Sequence, residues 1–90
     1  MTTTSEPRAA LTLHIVYTER AMLLSSVPWT DWRAIQDAYP DYKASLGPWP
    51  VDDVVEYLRI DYPDLDPPAA EQVEAFVRSG RDACELGFGA

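Results

Sequence analysis

Residues 9–26 read AALTLHIVYTERAMLLSS, and the fold class turns on them. Leu11, Leu13, Ile15 and Tyr17 alternate with Thr12, His14 and Val16, the period of a strand that turns one face inward. The β-branched content agrees. Yet Thr18–Leu24 (TERAMLL) is a run of good helix formers, and Leu13, Val16/Tyr17, Ala21 and Leu24 also mark a helical stripe. One helix over residues 10–25 is the first reading. A strand at 11–17 followed by a helical turn is the second.

Working outward, Pro28 disfavours helix at Val27 and closes this element. Thr30 is then an N-cap, with Asp31 in the first turn, and Trp32, Ile35 and Tyr39 follow at helical spacing up to Pro40. Of the tryptophans, Trp32 is in phase with Ile35 and reads as a core residue. Asp41–Leu46 (DYKASL) adds one more turn, and Gly47-Pro48-Trp49-Pro50 reads as a rigid loop. Pro50 suits a first helical position, and Val51, Val54, Val55 and Leu58 form one apolar face after it. A last helix runs over 67–79, with Asp66 as N-cap, Pro67 at its first position and Gly80 just past its end. Its inner face is Ala69, Val73, Phe76 and Val77. The expected fold is all-α: three to four short helices in one bundle, with an N-terminal β-strand at 11–17 as the variant. Residues 1–8 read as a disordered tail, 9–86 as a single helical domain and 87–90 as a frayed tail.

Ninety residues, 47% hydrophobic and 11% aromatic, make one small folded domain. The single Cys84 excludes an internal disulfide and any Cys-based zinc site within one chain. The start, MTTTSEPR, has no basic n-region, and no stretch reaches the roughly 18–20 apolar residues of a membrane span. The expectation is a cytoplasmic protein with no membrane contact.

Charge is distributed unevenly. The chain carries a net charge of −8, and residues 50–74 hold eight acids against Arg59 alone. Those acids are Asp52, Asp53, Glu56, Asp61, Asp64, Asp66, Glu71 and Glu74. Acids at helix starts are stabilising in themselves, which accounts for Asp52, Asp53 and Asp66. The surplus points to a surface for a basic partner, and at its extreme to a nucleic-acid mimic. Trp29 and Trp49 lie beside proline-rich breaks and are candidate interface anchors, Trp49 bordering the acidic helix. The candidate partner-binding residues are thus Asp52, Asp53, Glu56, Asp61, Asp64, Glu71, Glu74, Trp49 and Trp29.

Catalytic patterns are missing from the sequence. The spacing of Asp61, Asp64 and Asp66 has Pro63 inside it and lacks the glycine and the bidentate glutamate of a calcium loop, so no metal or cofactor is expected. His14 and Cys84 are far apart, and no nucleophile elbow, zinc helix or phosphate loop occurs. With a pI near 4.3, direct nucleic-acid binding is not expected.

Val54-Val55-Glu56-Tyr57-Leu58, Asp61-Tyr62-Pro63-Asp64-Leu65 and Gln72-Val73-Glu74-Ala75-Phe76-Val77 together resemble the C-terminal helix pair of small bacterial antitoxins that neutralise PIN-domain ribonuclease toxins. The resemblance is confined to residues 54–77. Pro67–Ala70 look inserted against the pattern, and the N-terminal half has no Gly-rich, basic start. The resemblance implies a toxin-neutralising or partner-binding role and does not extend to DNA binding.

Together these readings predict a non-enzymatic small acidic protein. It would bind and inhibit or regulate a basic protein, such as a nucleic-acid-processing enzyme or toxin, in the manner of an antitoxin or a phage inhibitor. The alternative is an assembly subunit of a larger complex, or an oligomer, held by aromatic and apolar contacts.

Overall fold

A computed structural model describes residues 11–89, and the tail expected over 1–8 lies outside them. The fold is α+β, which corrects the all-α expectation and the description of the chain as helical. In chain order the elements are β1 (Thr12–Thr18), β2 (Met22–Ser25), α1 (Trp32–Ala38), β3 (Tyr42–Pro50), α2 (Val51–Asp61), α3 (Ala69–Ser79) and β4 (Ala83–Glu85). The strands form an antiparallel sheet in the order β3-β1-β2-β4.

The alternation in 11–17, not the helical stripe, governs the N-terminal segment. TERA is a hairpin connection rather than a helix start. The Thr18 backbone N–H donates to the Ala21 carbonyl at 2.9 Å, and Thr18 Oγ1 accepts from the Ala21 N–H at 3.1 Å. This side-chain bond offers the backbone an alternative to helix. Met22–Ser25 then returns beside β1, with Ile15 opposite Leu24 and His14 opposite Ser25. Two strands give β1 its position at the centre of the sheet, where both faces can be covered. Accordingly Leu13, His14, Ile15 and Val16 are all buried.

The two segments read as a helical turn and a rigid loop are also corrected: DYKASL and GPWP together form β3. Two irregularities in its pairing with β1 let a sequence with proline and glycine remain a strand. Leu13 faces Trp49 while Ile15 faces Leu46, so β3 carries an extra residue there, and another between Ala44 and Tyr42. Gly47 sits in the first bulge with φ +113, and a Cβ on it would stand 2.7 Å from the Leu13 carbonyl oxygen. Both prolines of β3 lie at the outer edge of the sheet, where a missing N–H is tolerated.

The C-terminal helices keep the apolar faces read from their spacing. Val51, Val54 and Leu58 of α2 are buried, as are Ala69, Val73 and Phe76 of α3. With Leu13, Ile15, Met22, Leu24, Leu65 and Leu86 they form the main core on one face of the sheet. The last helix begins at Ala69 rather than 67, and Pro68 stands at its cap position. Val16 and Ile35 are fully buried outside that cluster. They mark a smaller core on the reverse face, where α1 packs on β3. The N-cap of α1 is Asp31, not Thr30, its carboxylate accepting from the Ala34 N–H at 3.1 Å. Trp32, expected in the core, is 51% exposed.

Residues 87–89 are tied back to the helical hairpin. Gln72 Nε2 donates to the Pro67 and Gly87 carbonyls at 2.6 and 2.8 Å, while its Oε1 accepts from the Gly87 N–H at 2.8 Å. Leu65 and Phe88 form a β-bridge. Among the described residues no helix is long and apolar enough to cross a membrane.

Candidate partner-binding site

The register of β3 on β1 decides which aromatic residue meets the acidic helix. Trp49 pairs with Leu13, so its side chain stands on the face that carries α2. Tyr57, one turn on from Asp53 along α2, meets it there. The two rings contact edge to face, with centroids 5.3 Å apart and planes at 72°. Trp49, Tyr57, Asp53 and Glu56 line one shallow depression, an aromatic corner walled by two exposed carboxylates. Glu56 Oε2 also accepts from Arg59 Nη2 at 2.6 Å.

The corner begins a longer aromatic row. Tyr57 contacts Tyr62 at 6.1 Å between centroids, and Tyr62 contacts Phe88 at 6.3 Å. Beneath the row Tyr17, from β1, shares hydrogen bonds with the hydroxyls of Tyr57 at 2.9 Å and Tyr62 at 3.3 Å. Burial and these two hydrogen bonds hold the Tyr17 phenol well above its ordinary pKa. For Tyr57 the bond to Tyr17 favours the phenolate, but burial, the Tyr62 hydroxyl and the Asp61 carboxylate outweigh it, and its pKa is also raised. Both phenols are therefore neutral in ordinary buffers, and the network ties Tyr57 of α2 and Tyr62 just past its end to the sheet.

The remaining candidate residues fall elsewhere. Asp52 is exposed in the first turn of α2, and Asp61 and Asp64 are exposed where the hairpin turns. Glu71 and Glu74 line a second depression on α3, where Arg78 and Arg81 offset them and Cys84 joins the wall. Burial raises the Cys84 thiol pKa despite the nearby Arg81. Trp29 is not part of the acidic face. Its Nε1 donates to Ser25 Oγ at 2.9 Å, and Ser25 faces His14 on the reverse side of the sheet. Among the described residues no group of three or more His, Cys, Asp and Glu side chains is disposed to hold a metal ion.

Sequence reasoning singled out Trp49 and the acids but not Tyr57, Tyr17 or Tyr62 as members of the site. The i, i+4 spacing of Asp53 and Tyr57 was a usable signal. The approach of Tyr17 was not, since it depends on β1 being a strand. No protein family, curated protein or solved structure matches the chain.

Proposed function

We propose that the chain is a non-enzymatic binding protein that engages and regulates a basic protein through the acidic α2 face and its aromatic corner. One observation carries the reading: Trp49 and Tyr57 share a depression with Asp53 and Glu56. Ring-bearing pockets supply contact area and desolvation at interfaces, and flanking carboxylates select and steer a cationic partner. An inhibitor of a nucleic-acid-processing enzyme, which must itself present a basic groove, is the concrete form of this proposal.

The test is affinity capture from the native cell at low and high salt, read by mass spectrometry. The wild-type chain is compared with a variant carrying Asp52→Lys, Asp53→Lys, Glu56→Lys and Glu71→Lys. The wild type should retain basic proteins that are lost at high salt and lost with the variant. Capture that survives the four reversals, with the fold intact by circular dichroism, overturns the proposal. Capture insensitive to salt favours the competing reading of an assembly subunit, for which Ile60, 60% exposed, and Phe88, 44% exposed, are the apolar contacts.

A further inference from the structure

We propose that the Trp49–Tyr57 corner takes the guanidinium of a single arginine side chain presented by the partner. This rests on the reading of the acidic face given above and makes it specific. Trp49 and Tyr57 both line the depression and so present ring surface to it. A cation is attracted to an aromatic face within about 6 Å of the ring centroid. A guanidinium is planar and weakly hydrated, so it stacks on a ring while its in-plane N–H groups reach sideways to carboxylate oxygens. Asp53, lining the same depression, supplies such oxygens, and Glu56 adds its Oε1, its Oε2 being held by Arg59. A lysine ammonium is compact and strongly hydrated; it gains from the carboxylates but cannot stack.

The chain already makes each half of this recognition with its own arginines. The Arg33 guanidinium carbon lies 5.3 Å from the centroid of the Trp32 ring. Arg59 donates to Glu56 at 2.6 Å. At the corner, ring and carboxylates occur together on an edge strand and the first turns of a helix, elements rigid enough to hold their spacing. The depression is shallow and lined by four side chains, which suits the tip of one long side chain rather than an enclosed small molecule.

The experiment titrates the full chain with three end-capped Gly/Ser heptapeptides, identical except for a central arginine, lysine or uncharged citrulline, followed by amide and indole NMR shifts. The arginine peptide should bind about five-fold or more tightly than the lysine peptide, with shifts centred on Trp49 and Tyr57 and none from citrulline. Trp49→Leu should abolish the arginine preference, and Asp53→Asn, an exposed change that leaves the core untouched, should weaken arginine binding by a similar factor. Equal binding of arginine and lysine, unmoved by either substitution, overturns the assignment. If partner capture still depends on the four charge reversals, the arginine assignment falls alone and the acidic-face proposal stands. If capture is also indifferent to them, both fall.

Discussion

Tyr17 shows how one residue links sheet, helix and pH. It leaves β1 on the core face, opposite Met22, and its hydroxyl meets Tyr57 and Tyr62. Tyr17→Phe should cost about 1 kcal/mol at neutral pH, the net worth of a partly buried hydrogen bond. The sign at alkaline pH follows from its raised pKa. The folded chain resists ionisation while the unfolded chain ionises near its ordinary value of about 10. The contribution is therefore complete below pH 10 and declines above it. Urea midpoints at pH 8 and pH 11 should fall more in the wild type than in Tyr17→Phe, with Tyr57 accounting for part of what remains. Equal falls would show that Tyr17 titrates alike in both states. His14 acts in the other direction, since burial lowers its pKa and its neutral form is favoured in the fold.

Among the elements, α2 and α3 were legible because a period of 3.6 residues placed valine, leucine and phenylalanine on one side over three turns. Their packing partner was not. In residues 11–24 the same apolar side chains satisfy both a period of two and a helical stripe, and intrinsic propensity does not choose between them. The choice is made by β3 and β4, which pair with this hairpin from far along the chain. β3 itself was hidden by Gly47, Pro48 and Pro50, punctuation that reads as loop unless bulges are allowed. The acids of the site were legible from composition, and the corner became visible only with the register that sets Trp49 against α2. The clasp made by Gln72 had no signal in the sequence, because its three partners are backbone groups. Replacing it by alanine should cost about 1–2 kcal/mol. Amide exchange at Gly87 should quicken well before that of α3. Unchanged exchange there would show that the Leu65–Phe88 bridge and the Tyr62–Phe88 ring contact hold the segment without Gln72.

For the molecule as a whole, a net charge of −8, most of it in residues 50–74, sets folding and binding against each other. Carboxylates on the same face repel, and salt relieves that repulsion. Raising NaCl from about 0.05 to about 0.5 M should therefore stabilise the isolated chain by roughly 1 kcal/mol, a rise of about 4–8 °C in Tm for a domain of this size. The same change should weaken the complex with a basic partner. A melting point that falls with NaCl would mean that ion pairs such as Glu56–Arg59 and Arg20–Asp41 outweigh the repulsion. The strand order has one more consequence, for synthesis. Leu23, Leu24 and Ser25 lie between β1 and a strand made of Ala83, Cys84 and Glu85. A nascent chain leaving the ribosome must carry this hairpin with the short β2 border unpaired until residues 83–85 emerge. A chain truncated before Ala83 should therefore keep Leu23, Leu24 and Ser25 as an open sheet edge, a template for pairing with another chain.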